Sequence, residues 1–215
     1  MRNQLIQYLN ENILPIYQAF DPAHRIDHVE KVIQQSLDIA SSYDVNLDMV
    51  YTIACFHDIG MQFGREDHHL TGGLFLYQQE KLKEFFTEDE RIIMKEAVED
   101  HRASNKQEPR TLYGKIIAEA DRDISLEIVL RRTVQFGLKH YPHITKEEHV
   151  QRAYQHILEK YGPEGYLKLW LETKKNKEGL KEIHDLLKQK EVMQMKIETL
   201  YENEKNHQSD DSFEE

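Results

Sequence analysis

Ala54-Cys55-Phe56-His57-Asp58-Ile59-Gly60 is the stretch on which the reading of this chain turns. The apolar stripe upstream, Val50, Ile53 and Ala54, reaches position 57 at helical spacing, and the glycine at 60 marks where the helix runs out. A histidine and an aspartate at the end of a buried stripe are costly to desolvate, and a metal ion is the usual compensation. A lone His-Asp pair also fits a hydrogen-bonded core histidine beside a helix-end aspartate. The metal reading therefore needs ligands elsewhere in the chain.

Outward from that stretch the pattern is helical nearly throughout, and no segment alternates as a strand would, so the fold class expected is all-α. Asp21-Pro22 reads as the start of a helix with Val29, Val32, Ile33, Leu37 and Ala40 on one face. A second helix runs from near Asn46 to Asp58, followed by a loop from Met61 to Asp67 and a third helix from about Asp67. Thr87 and Glu90 have capping-box spacing and open a helix that ends near Arg102. Ser104 to Arg110 reads as a loop, and one helix is expected from Tyr113 through Asp121 to about Lys139. Thr145 caps the next helix, Gly162-Pro163 breaks it, and a long charged helix follows from about Glu164 to Tyr201. The domain organisation expected is a core over residues 1–140, a helical extension packed on it over 141–202, and a disordered acidic tail over 203–215.

Ionisable residues fall on the apolar faces of five of these helices. His28 adjoins Val29 and precedes Val32 by one turn; His57 and Asp58 end the second helix; His68 or His69 begins the third. His101 follows Ala97 by four, and Asp121 follows Ile117 by four and precedes Ile124 by three. Imidazole and carboxylate without thiolate suit iron, manganese, zinc, nickel or cobalt.

These residues resemble the HD-domain superfamily of metal-dependent phosphohydrolases. Asp27-His28-Val29-Glu30-Lys31-Val32 looks like the helix with the family's first histidine, residues 54–60 like its HD segment, and Ala118-Glu119-Ala120-Asp121-Arg122 like the segment with its last aspartate. The resemblance covers about Gln18 to Arg131 and implies a compact HD-type helical bundle. It implies that His28, His57, Asp58 and Asp121 bind one divalent transition metal. In family members with a second ion, the first extra histidine sits four residues before a small pair. That favours His68, which precedes Gly72-Gly73, over His69, and His101 as its partner. One ion or two is left open by the sequence.

The expected chemistry is hydrolysis of a small phosphorylated, nucleotide-like substrate by a metal-activated water, with Asp58 as ligand and partner of the attacking water. His24, one turn before His28, is a candidate proton donor. Arg25, Lys106, Arg110 and Arg122 are candidate phosphate binders, because guanidinium and ammonium groups pair with phosphate oxygens. Glu66 and Asp67 are candidates to orient the water. The chain lacks an acidic residue in the first turn after Asp58, where some nucleotidases of the superfamily keep one. Two other readings compete: a di-iron oxygenase, and a non-catalytic nucleotide-sensing module.

The bulk properties set limits. The 215 residues carry a formal charge of −11, which argues against nonspecific nucleic-acid binding but permits a small anionic substrate in a locally positive cleft. No run approaches the roughly 20 apolar residues of a membrane span, and Met1 to Gln7 is too polar for a signal peptide. A cytoplasmic protein is expected. The single cysteine, Cys55, rules out an internal disulfide. The long C-terminal helix is a candidate homodimer surface.

Overall fold

The computed structural model describes residues 1–20, 24–102 and 107–211, with side chains to 206. Asp21-Pro22 and Lys106 lie outside the described residues, as do 212–215. The fold is all-α, with no strand among the described residues. It divides into two compact units, Met1–Arg122 and Asp123–Glu215.

The first unit holds helices α1 (Asn3–Asn12), α2 (Ile26–Ala40), α3 (Leu47–Phe56), α4 (His68–Tyr77), α5 (Glu88–Asp100) and α6 (Leu112–Asp121). Short 3-10 turns of helix cover Leu14–Ala19, Ile59–Phe63 and Glu80–Glu84. The centre is α3. Every residue from Met49 to Phe56 is buried, so this helix is apolar all round, as a fully enclosed helix must be. Asn46 opens it, its side chain accepting the Asp48 N–H at 3.0 Å. Around it α2 buries Val29, Val32, Ile33 and Ala40, the spacing of a one-sided amphipathic helix. Both capping boxes form as the sequence indicates, Thr87 with Glu90 on α5 and Thr145 with Glu148 in the second unit. Each fully buried Val, Ile or Phe of this core, such as Val50, Ile53 and Phe56, contributes about 1.5–3 kcal/mol.

The second unit holds α7 (Leu126–His140), α8 (Lys146–Tyr161), α9 (Lys174–Leu187) and α10 (Lys190–Asp211). Its own core contains Val129, Val134, Ile157, Ile183, Met193 and Ile197. Several expectations change here. The helix read from Tyr113 to Lys139 is two helices, because Asp123 accepts the Ser125 N–H at 3.1 Å and turns the chain between them. Ile124, read as continuing the Asp121 stripe, packs in the second core instead. The contact division therefore falls at 122/123 and not at 140, since the apolar face of α7 is buried with the second unit. The helix read from Glu164 to Tyr201 is also two. Residues 164–173 are not helical, Tyr166 and Leu167 donating back to the carbonyls of Glu159 and Lys160 at 3.1 and 3.0 Å. A second break comes at Lys188, the C-cap of α9. Helix α10 continues to Asp211, into the stretch read as a disordered tail. No described helix is long and apolar enough to cross a membrane.

Candidate metal centre

The site lies where α3 ends. His57 is the C-cap of that helix, and Asp58 follows with φ −106° and ψ 4°, the sparsely populated bridge region. The 3-10 turn from Ile59 then carries the chain away to Gly64, whose φ of +123° only glycine adopts readily. Gly60 has a different role. A Cβ built on it would lie 1.9 Å from the His68 carbonyl oxygen and 2.6 Å from the Gly72 nitrogen. Its bare backbone lets the turn lie flat against α4, and that contact brings His68 to Asp58.

Asp58 is the hub, 4% exposed. Its two carboxylate oxygens face opposite ways. Oδ2 lies 3.3 Å from His57 Nε2 and 3.6 Å from His28 Nε2. Oδ1 lies 3.3 Å from both His68 Nε2 and His101 Nε2. Asp121 joins through His28, Oδ1 to Nε2 at 3.2 Å. All six residues singled out in the sequence as metal ligands thus converge. Five of them form two overlapping groups with ligand spacing, His28-His57-Asp58 and Asp58-His68-His101. His69 is not in either group, so His68 is the inward member of that pair.

The donor set fits a divalent cation. The Nδ1 atoms of His57, His68 and His101 face the backbone carbonyls of Ala54, Arg65 and Val98, at 2.8, 2.8 and 2.6 Å. A carbonyl only accepts, so each ring places a proton on Nδ1 and, when neutral, leaves Nε2 as a bare acceptor. Those Nε2 atoms point at carboxylate oxygens, and His57 Nε2 also lies 3.2 Å from His28 Nε2. Acceptor against acceptor at such distances requires a shared cation. A metal ion answers this for every ring at once. Protons would answer it only by charging a buried imidazole cluster. These outer partners were not legible in the sequence. Glu119, a carboxylate close to Asp121 in sequence, is buried in an ion pair with Arg122.

The metal-free electrostatics show the same pull toward positive charge. Burial disfavours the His28 imidazolium, but hydrogen bonds to Asp121 and Asp58 outweigh it and raise its pKa to about 9. Burial opposes charge on His57 too, yet the Asp58 carboxylate raises it. Burial alone would neutralise Asp58, but His57, His101 and His28 hold it well below the usual carboxylate range. Asp121 is likewise lowered, by its bond to His28 against the effect of burial. Cys55, directly behind, is buried and its thiol is pushed up, an inert hydrophobe.

The remaining candidates fare differently. His24 is partly exposed, its ring edge-on to that of His28 with centres 6.2 Å apart. Arg25 is exposed and donates from Nε to the Phe20 carbonyl at 3.3 Å. Glu66 and Asp67 are exposed. Two expected phosphate binders are corrected. Arg110 is bidentate to Asp100, bonds Glu99 at 2.7 Å and reaches the Glu96 carbonyl at 3.2 Å, so its fork is committed to closing a loop onto α5. Arg122 is buried, with its Nη1 on Glu119 Oε1 at 2.7 Å. Both charges are neutralised by carboxylates inside the protein. Arg102, which the sequence reading passed over, bonds the Glu66 carbonyl at 2.9 Å beside His68 and His101.

Residues 25–125 match the family model described as the HD domain. Among solved structures, a protein titled a predicted HD superfamily hydrolase, from an uncultured Thermotogales bacterium, is 22% identical. The alignment covers 73% of this chain and 86% of that one, with a TM-score of 0.47. No curated protein matches the chain. The matched segment contains every residue of the convergent cluster, from His28 to Asp121. Residues 25–125 of the chain are thus similar to the HD domain.

Proposed function

We propose that this protein is a metal-dependent phosphohydrolase acting on a small phosphate ester or anhydride, with nucleotides as the leading class. The family match and the donor set support a metal-dependent hydrolase in general. The observation that carries the finer reading is the splayed carboxylate of Asp58, with one oxygen toward His28 and His57 and the other toward His68 and His101. A carboxylate so placed suits two cations, His28, His57 and Asp121 completing one set of ligands and His68 and His101 the other.

A divalent ion held there supplies Lewis acidity toward a phosphoryl oxygen and makes a water acidic enough to attack near neutral pH. The protein supplies the rest. Asp58, kept ionised by the imidazoles around it, can accept a proton from the attacking water. The carbonyls of Ala54, Arg65 and Val98 hold three imidazoles in the tautomer that presents Nε2 inward. In this reading His24, whose ring lies beside that of His28, protonates the leaving oxygen. The exposed Arg25 in this reading meets a phosphate oxygen. The protein's negative charge leaves local cations to attract the anionic substrate.

The test is a phosphate-release screen across nucleotides and simple phosphate esters. It uses the full chain reconstituted anaerobically with manganese, iron, nickel or cobalt, beside Asp58→Asn. Metal-dependent release that Asp58→Asn abolishes, with the fold retained, is the expected result. Oxygen consumption with an organic substrate, and no phosphate released from any compound, would replace this reading with a di-iron oxygenase.

A further inference from the structure

The arginines near the centre fall into two groups. Arg110 and Arg122 are engaged by carboxylates. Arg102 is not, since no carboxylate pairs with it among the described residues, and its Nη1 donates to the Glu66 carbonyl at 2.9 Å. It is only partly exposed. A guanidinium has five N–H donors in a planar fork, so most of this one is uncommitted within the described chain.

Its position narrows what those donors are for. Arg102 directly follows His101, whose Nε2 is 3.3 Å from Asp58 Oδ1. The carbonyl it grips belongs to Glu66, two residues before His68, whose Nε2 is also 3.3 Å from Asp58 Oδ1. The rings of His68 and His101 lie 5.3 Å apart, centre to centre. Arg102 therefore ties together the two segments that deliver these histidines. A purely structural account treats it as a cation at the C-terminal end of α5, complementing the helix dipole and stapling the loop. That account explains the Glu66 bond. It does not explain an arginine with no carboxylate partner among the described residues, in a chain with 39 acidic residues against 28 basic ones.

We propose that Arg102 is a substrate-binding residue, its guanidinium fork taking a phosphate oxygen of the substrate over the His68–His101 half of the site. The inference rests on the phosphohydrolase reading of that same site. Planar guanidinium matches two phosphate oxygens, which an ammonium cannot do.

The experiment compares the metal-loaded full chain with Arg102→Ala and Arg102→Lys. Inorganic phosphate binding is followed by calorimetry, with metal content, melting temperature, and KM and kcat for phosphate release measured in parallel. Arg102→Ala should weaken phosphate binding roughly 10- to 100-fold, the range of one lost charge-assisted bond. KM should rise more than kcat falls. Arg102→Lys should recover part of the affinity, and both variants should keep the wild-type metal content and melting temperature. Unchanged phosphate affinity and KM in Arg102→Ala would overturn the assignment. So would equal loss of metal or melting temperature in both variants, which would make Arg102 a staple. Loaded wild-type protein that binds no phosphate overturns it as well. Wild-type protein that binds phosphate through Arg102 yet hydrolyses nothing would sink the hydrolase reading and leave this assignment standing.

Discussion

Stripping the metal should make the stability of this protein depend on pH in the direction opposite to ordinary acid denaturation. The perturbation is chelation, followed by titration from pH 6.5 to 9.5. In the metal-free chain His28 has its pKa raised from the ordinary 6.5 to about 9, because Asp121 and Asp58 outweigh the cost of burial. A raised folded-state pKa means that the folded protein holds the proton more tightly than the unfolded chain does. The stabilisation is complete below about pH 6.5 and is lost as pH rises through about 9. The difference of about 2.5 pH units, at about 1.4 kcal/mol each, gives an upper figure of about 3.5 kcal/mol. The His28 side chain is 18% exposed, so solvent screening trims this only modestly. For a unit of this size about 3 kcal/mol corresponds to a melting temperature lower on the order of 10 °C at pH 9.5 than at pH 6.5. Scanning calorimetry or urea melts with chelator present should record that fall. Saturating metal should remove it, because metal binding takes the place of the proton and strengthens as imidazoles deprotonate. In His28→Gln the metal-free slope should shrink, with the remainder coming from His57, whose pKa Asp58 also raises. A metal-free melting temperature that is flat across this window, or a slope undiminished in His28→Gln, would refute the argument.

Other outcomes follow from the same geometry. Gly60→Ala places a methyl 1.9 Å from the His68 carbonyl oxygen, which α4 can escape only by moving, so we expect a loss of about 2 kcal/mol or more in urea melts. Bound metal per chain should drop with it, since His68 moves with α4; full stoichiometry would contradict this. Asp58→Asn keeps the shape but removes the shared charge, so elemental analysis should find less than one ion per chain; retention of two would mean that Asp58 is no bridge. Arg110→Ala should destabilise the protein by about 1–2 kcal/mol by leaving Asp100 and Glu99 without their partner, while leaving KM for phosphate substrates unchanged. A KM increase would restore Arg110 to substrate binding.

Much of the metal centre was readable before any coordinates. Each of its six residues lies on or at the end of an apolar helical stripe in the sequence, and burial of an ionisable group there has few explanations. The identity of their supporting partners was not readable. His57, His68 and His101 are each held by the carbonyl three residues earlier, and a backbone oxygen carries no side-chain signal in sequence. The division among the arginines was hidden for a related reason. Whether Arg110, Arg122 or Arg102 keeps its charge for a ligand depends on which carboxylate lies within about 3 Å, and the strongest pair, Arg110 with Asp100, is ten residues apart.

The sequence by itself determined the helical class, the two capping boxes, the apolar enclosure of α3 and the positions of the candidate ligands. All of these depend on short-range periodicity or on local hydrogen bonding. Only the tertiary structure decided where one unit ends and the next begins. Helical periodicity continues across Asp121 to Leu126, and the break there comes from an Asp123–Ser125 turn together with the burial of α7 in a second core. It was also the tertiary structure that split the Asp58 carboxylate between two pairs of histidines. That arrangement needs α4 pressed against the turn after Asp58, a contact permitted because residue 60 has no side chain.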